Sequence, residues 1–219
     1  ITGFEFKLHP VGPKVWMSVP MYPLDRAKEV MDACCEYMKK APEDLGVLGV
    51  YWSAPEVPEV PERYHGAPVL ILLGCYTGPF EEGEKVIAPL REIGKPIADL
   101  SAPMTWVEAQ QFLDEDYPVG AFYYWKSIYM DHLDGEVLEA LAKHTATRPS
   151  PESSIDVWML GGAMSRISPT ATAFYKRELP YMLGIEANWA KREDAPANIK
   201  WANDVIKDMQ KFTSGGSYL

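Results

Sequence analysis

Val69-Leu-Ile-Leu-Leu-Gly-Cys-Tyr76 is apolar almost without interruption. Such a run, bounded by Pro68 and by Thr77-Gly78-Pro79, predicts a strand buried on both faces. The longest apolar stretch, Ala67 to Cys75, falls well short of the roughly 20 residues a membrane helix needs. Upstream, residues 54–68 are rich in proline and charge and predict a loop or a strand-edge excursion. Before that loop, Gly46 to Trp52 predicts a further strand, and Ala27, Val30, Met31, Cys34, Tyr37 and Met38 recur at helical spacing within 24–40. Val15 to Val19 predicts a strand closed by Pro20 and Pro23, and Phe4-Glu-Phe-Lys-Leu alternates as a half-buried strand does.

Downstream, residues 81–93 predict a helix containing Pro89, and Thr105 is placed to cap a helix over 106–113. An aromatic-rich strand follows over 120–128, then a helix opened by Asp134 that runs to about His144. Strands over 155–160 and 181–188 flank the turn at Gly161-Gly162, and Pro196 starts a last helix that reaches about Phe212. Strands and helices come in groups with no strict repeat. The pattern predicts an α+β fold, a broad mainly antiparallel sheet with helices packed on one face. The other face is then free for a ligand, a second domain or a second copy of the chain.

The 219 residues are 47% hydrophobic and 24% charged, enough for one large core. The net charge of −10 argues against a nucleic-acid partner, which needs a basic face. Cys34, Cys35 and Cys75 form neither a disulfide framework nor a metal spacing, and the four histidines are scattered. No metal site is expected. Reduced core thiols favour a cytoplasmic setting. Ile1 opens directly into a strand-like run and Leu219 closes just after Ser214-Gly-Gly-Ser-Tyr, so both ends read as cuts.

Several stretches, in order along the chain, resemble the C-terminal part of berberine-bridge-enzyme-like FAD-linked oxidases of the vanillyl-alcohol-oxidase superfamily. They are Gly3-Phe-Glu-Phe-Lys-Leu-His-Pro-Val-Gly-Pro, Tyr64-His-Gly-Ala-Pro-Val with Cys75-Tyr-Thr-Gly, and Pro89-Leu-Arg. Tyr124-Trp-Lys-Ser-Ile-Tyr and Leu160-Gly-Gly-Ala-Met-Ser-Arg-Ile with Thr170-Ala-Thr-Ala-Phe follow, then Asn188-Trp and Asn198-Ile-Lys-Trp-Ala. The resemblance implies that residues 1–219 are the substrate-binding domain of an FAD-linked oxidoreductase. The FAD would be held mainly by an N-terminal domain that this chain lacks. The implied activity is oxidation of an alcohol, sugar or amine by hydride transfer to flavin, with the fragment alone inactive. The alternative is a stand-alone ligand-binding or protein-interaction domain.

The chain departs from the family in places. The glycine-rich phosphate loops and the flavin-attaching His and Cys are missing, and Lys176 stands where relatives often carry histidine. The terminal Tyr-x-Asn motif stops after Tyr218-Leu219. By resemblance Tyr218 is the catalytic base, helped by Lys126; by position alone it is a frayed end. Met182 falls where the family's founding enzyme carries a catalytic glutamate, so simple oxidation is implied rather than bridge formation.

On the 120–128 strand, Phe122, Tyr124 and Lys126 share one face and Tyr123, Trp125 and Ser127 the other. Lysine is rarely buried unpaired, so the face of Tyr124 and Lys126 is expected to meet the substrate. Trp158 reads as a substrate contact or a core tryptophan, and its face-mate Asp156 as a strand-edge charge. Glu186 shares a face with Met182 and Gly184 and reads as a substrate contact or a solvated charge.

Overall fold

A computed structural model describes residues 2–174, 176–213 and 215–218. Nine strands join in one sheet: β1 (Lys14–Ser18), β2 (Pro20–Pro23), β3 (Leu45–Ser53), β4 (Pro68–Tyr76), β5 (Ala98–Asp99), β6 (Ala102–Thr105), β7 (Phe122–Met130), β8 (Ser154–Met159) and β9 (Tyr181–Trp189). The order across it is β5-β2-β4-β3-β8-β9-β7, and every pair is antiparallel. β1 also lies against β4 and carries β6 on its outer side. Among the described residues the five α-helices are α1 (Ala27–Met38), α2 (Phe80–Arg91), α3 (Trp106–Gln110), α4 (Gly135–Ala146) and α5 (Ala195–Met209).

The strand first read in the sequence is central, and it is buried on both faces. Leu70, Leu72 and Tyr76 enter the main core with the buried stripes of α1, α2, α4 and α5. Val69 and Ile71 alternate to the opposite face and join a second, smaller cluster. Each long helix supplies its stripe at three- and four-residue steps, such as Val137, Leu138, Leu141 and Thr145 of α4. Asp134 caps α4 by accepting from the Val137 amide at 3.1 Å. Thr105 and Glu108 form a reciprocal capping box that starts α3.

The second face is not simply free. Ala54, Val57 and Val60 of the loop after β3, and Ile97, Leu100 and Ala109 from the segment around β5, β6 and α3, cover its β2-β4-β3 half. Its β8-β9-β7 half remains open, with Trp125 and Trp158 exposed. The first expected strand, Phe4 to Leu8, does not form. Phe4 and Phe6 stack on each other at 5.6 Å but stay exposed, because no neighbouring strand offers them a ladder among the described residues.

Close packing between β1 and α2 gives a test of this architecture. Trp16 donates from its indole nitrogen to the Phe80 carbonyl at 3.0 Å and lies over Gly83. A Cβ at Gly83 would sit 2.0 Å from Trp16 Cδ1. In an open helix Gly→Ala stabilises by about 1 kcal/mol. Here Gly83→Ala is expected to destabilise by about 1–3 kcal/mol through overpacking. Urea unfolding of the two proteins measures it, and a stabilised variant would contradict the packing.

Candidate active site

The open half of the second face is built by alternation along β8 and β9. Ile155, Val157, Leu183 and Ile185 turn toward the helices and are fully buried. Ser154, Asp156 and Trp158 therefore turn the other way on β8, as do Met182, Gly184 and Glu186 on β9. Register aligns them: Ser154 faces Glu186, Asp156 faces Gly184, and Trp158 faces Met182. Gly184 leaves a bare place between them. A Cβ there would lie 3.4 Å from Trp158 Nε1, 3.6 Å from Asp156 Cβ and 3.8 Å from Glu186 Oε1. One small patch thus holds two carboxyl groups and an indole edge.

The segment between α3 and β7 folds over this patch. Tyr117 donates its hydroxyl to Glu186 Oε2 at 2.7 Å, and its ring meets Trp125 edge-on at 5.7 Å. Trp125 donates to Asn188 Oδ1 at 2.7 Å, and the Asn188 side-chain amide donates to the Glu152 carbonyl. Tyr123 ties the same segment down by donating to the Pro118 carbonyl at 2.6 Å.

Asp156 is only 4% exposed, and its Oδ1 has no hydrogen-bond partner among the described residues. Burial, and then the neighbouring charge of Glu186, hold the Asp156 carboxyl well above the usual carboxylate range. Burial also raises Glu186, against the lowering effect of the Tyr117 hydroxyl and of Asp156. Two neighbouring buried carboxyls cannot both ionise cheaply, which favours keeping a proton between them. Burial, reinforced by the Glu186 charge, raises the Tyr117 phenol, which stays a neutral donor.

Of the residues singled out from sequence, Trp158, Met182 and Glu186 come together here. Tyr124 and Lys126 do not, which corrects the expected orientation of β7. Their partners across the ladder are Ala187 and Ile185, both on the helix side. Tyr124 donates to Asn203 Oδ1 of α5 at 3.4 Å, and the Lys126 ammonium lies 5.4 Å from the Tyr124 ring centre. A lysine on an outer strand can lay its stem along the helix layer and still wet its head, so its charge does not turn it toward the site. Tyr218 borders the open face from the β7 edge. Its amide donates to Ser127 Oγ and its ring approaches Phe174 at 5.9 Å. Lys126, on the opposite face from Ser127, is not placed to assist it. Asp156, read as a strand-edge charge, is in fact the most buried acid of the patch, and Tyr117 carried no sequence signal at all.

No protein-family model matches the chain. An FAD-linked oxidoreductase of Dictyostelium discoideum is 24% identical over 219 residues, covering 98% of this chain and 45% of that protein. An uncharacterized FAD-linked oxidoreductase of Bacillus subtilis, YgaK, is 25% identical over 147 residues, covering 65% of this chain and 32% of its own length. The chain thus spans about half, or less, of the curated relatives it matches. Among solved structures, BBE-like 1 of Physcomitrella patens superposes with a TM-score of 0.74 at 15% identity, over 96% of this chain and 46% of that one. The chain is a homologue of FAD-linked oxidoreductases with the fold of a BBE-like enzyme's C-terminal portion. The grass pollen allergen Phl p 4, described as having glucose dehydrogenase activity, shares that fold at a TM-score of 0.74 and 16% identity, over 97% of this chain and 44% of its own.

The raised carboxyl pair gives a stability test. Because the folded pair holds its proton above the ordinary carboxylate range, its stability is complete at acid pH. It is lost as pH rises, first where the unfolded carboxyls ionise and onward through the folded titration. Asp156→Asn keeps the shape and removes the titration. Between pH 5 and 8 the native chain is expected to lose more stability than the variant does. Urea titrations of the two at both pH values measure this, and an equal loss in both would rule out the buried shared proton.

Proposed function

We propose that the chain is the substrate-side portion of an FAD-dependent oxidoreductase. In this reading the Asp156–Glu186 pair accepts the proton of a substrate alcohol or amine. The observation that carries it is the buried carboxyl pair on the second face of the sheet, with Asp156 Oδ1 left without a partner among the described residues, in a chain homologous to FAD-linked oxidoreductases. When bound, the flavin supplies the acceptor for a hydride from the carbon that bears the heteroatom.

The residues present suit one side of a flat conjugated ring. Trp158 and Trp125 are half-exposed on the open face, and Gly184 between the carboxyls lets a planar group approach closely. The phosphates are a different matter. The starts of α1, α2 and α4 carry Glu29, Glu81, Glu82 and Glu136, and Asp194 precedes α5, charges that repel an anion from the donor ends of the helices. The phosphate-bearing half of the cofactor therefore belongs to an N-terminal FAD domain, the natural partner of this open face. A second copy of the chain is the competing partner, and a cytoplasmic setting remains part of the proposal. No helix among the described residues is long and apolar enough to cross a membrane.

Within the site, Tyr117 fixes Glu186 by its hydrogen bond and leaves Oε1 turned toward Gly184. Trp158 and Met182 bound the substrate on the β8-β9 side. A carboxyl pair already sharing a proton has its basicity raised toward neutral pH, where general-base catalysis is most effective. Tyr218, at the rim, is the alternative proton acceptor.

The test is made on the product of the full reading frame. Loaded with FAD it is expected to show a flavin absorption spectrum. Glu186→Gln is expected to lower kcat about 10²–10⁴-fold with that spectrum unchanged, and Tyr218→Phe to lower it less. A protein that stays colourless would overturn the flavin reading. Undiminished turnover in both Glu186→Gln and Asp156→Asn would remove the pair as the base, and a larger loss in Tyr218→Phe would transfer that role to the phenol.

A further inference from the structure

The glycines inside strands differ in why they are bare. A Cβ at Gly49 would stand 2.8 Å from Met31 Sδ, and one at Gly74 would stand 3.1 Å from Ser18 Cβ. Packing excludes a side chain at both. Gly46 is exposed near the start of β3, with nothing within 4 Å, so its missing side chain borders only solvent. Gly184 fits neither case. It is half-buried in the middle of β9, its backbone is not left-handed, and the nearest atom to its Cβ position is 3.4 Å away, an ordinary contact. Alanine would therefore fit, and glycine weakens a strand interior. A half-buried bare position that neither packing nor backbone requires marks the close approach of a group from outside the chain.

The atoms around the gap say what that group is. Trp158 Nε1 lies 3.4 Å from the Cβ position and Glu186 Oε1 lies 3.8 Å from it. Trp16, Trp52, Trp125 and Trp201 each donate their indole N–H within the chain. The Trp158 N–H donates to no described residue, and Trp158 is 42% exposed. Glu186 is half-buried and its Oε2 takes the Tyr117 hydroxyl, while Oε1, unlike Asp156 Oδ1, is not sealed from solvent. Asp156 is held well above the usual carboxylate range and keeps the proton, so Glu186 is the acceptor of the two. A carboxylate has roughly four acceptor positions, which leaves room at Oε1 for another donor. The gap thus has a donor on one side and an acceptor on the other. A hydroxyl answers both, since it accepts from the indole and donates to the carboxylate. A protonated amine has no lone pair for the indole, and a carbonyl or ether has no hydrogen for the carboxylate.

We propose that Gly184 is the specificity-determining residue of the site, and that the gap it leaves seats a substrate hydroxyl between the Trp158 indole N–H and Glu186 Oε1. A small rotation of the exposed Trp158 ring and of the Glu186 carboxylate brings an oxygen in the gap within hydrogen-bonding distance of both. A methyl group at Gly184 would occupy the place of that oxygen. The inference rests on the functional reading above and narrows its substrate class from alcohol, sugar or amine to a hydroxyl compound.

The gap lies within the 219-residue chain, and Trp158 reports on it without flavin. Proton–nitrogen NMR records the indole N–H signals, with that of Trp158 identified by its loss in Trp158→Phe. The probes are cyclohexanol, cyclohexanone and cyclohexylammonium, whose saturated rings cause no ring-current shift. Cyclohexanol is expected to move the Trp158 proton downfield and to bind at least about fivefold more tightly than cyclohexanone, the worth of one hydrogen bond. Cyclohexylammonium, which cannot accept from the indole, is expected to bind more weakly than cyclohexanol and to give no downfield shift. In Gly184→Ala the preference for alcohol over ketone is expected to vanish, while the urea midpoint stays the same or rises.

No shift at Trp158 with any probe, equal affinity for alcohol and ketone, or tightest binding of the ammonium would overturn the proposal. So would an alcohol preference that survives Gly184→Ala. A lower urea midpoint or a failure to fold in that variant would overturn it too, because packing would then require the glycine. The two readings fail separately. A colourless full-length protein in which Trp158 still selects the alcohol refutes the redox reading alone, and a flavin-loaded protein without that selection refutes only the assignment of the gap.

Discussion

Ile155 and Val157 on β8, with Leu183, Ile185 and Ala187 on β9, are fully buried beneath the helix layer. Burying a large aliphatic side chain stabilises by about 1.5–3 kcal/mol, and these neighbours act together. The strand period is two, so their direction dictates that of every residue between them. Slipping either strand by one place would drive Asp156, Gly184 and Glu186 into the apolar core and its valines and isoleucines into water. The register in turn sets Glu186 diagonally across from Asp156, with Gly184 between. The chemistry of the second face is thus positioned by hydrophobic packing on the first. The cost of holding a carboxyl in a dry place is met by several aliphatic burials nearby and reduced by keeping a proton on the pair.

The covering of the second face is equally uneven for a physical reason. β1 and β2 both lie along β4 but are separated at Val19, whose amide takes its partner from Ser101 Oγ at 2.8 Å. Their outer companions β5 and β6 flank Ser101, so the returning chain is drawn across the second face at this end. The same chain then passes through α3 and brings Tyr117 to Glu186. One continuous segment therefore closes the covered half and supplies the hydroxyl that orients the site. The boundary between the halves falls at Asp156.

Much of the scaffold was legible in the sequence. The Val69–Tyr76 run has two buried faces because it is central, and helical spacing located the stripe of α1. Local chemistry was legible too, as Thr105 and Asp134 show. What sequence could not supply was pairing. Nothing in Ser154–Met159 says that its neighbour is Tyr181–Trp189, and without that neighbour Asp156 is merely a charge in a strand. Parity along β7 was read correctly, but which parity faces the helices depends on Ile185 and Ala187 across the ladder. Lysine's rarity in cores was too weak a rule to decide it. Phe4 to Leu8 shows the converse: alternation permits a strand, but a strand also needs a partner.

The margins of the sheet differ in how they end. On one side β5 has only two residues, too short to recruit another strand. On the other, β7 is nine residues long and aromatic, and its outer backbone would be open to any extended peptide. The chain's own tail occupies that margin. Gly216 accepts from the Tyr129 amide at 3.0 Å, Thr213 donates to the Tyr129 carbonyl, and Tyr218 joins Ser127. At Gly215 a Cβ would stand 2.2 Å from the Tyr129 oxygen, so the tail fits only because that position is bare. Thr213 and residues 215–218 therefore act as a selvedge. They keep a long aromatic strand from being extended by a stranger, and hold Tyr218 at the border of the site as they do so.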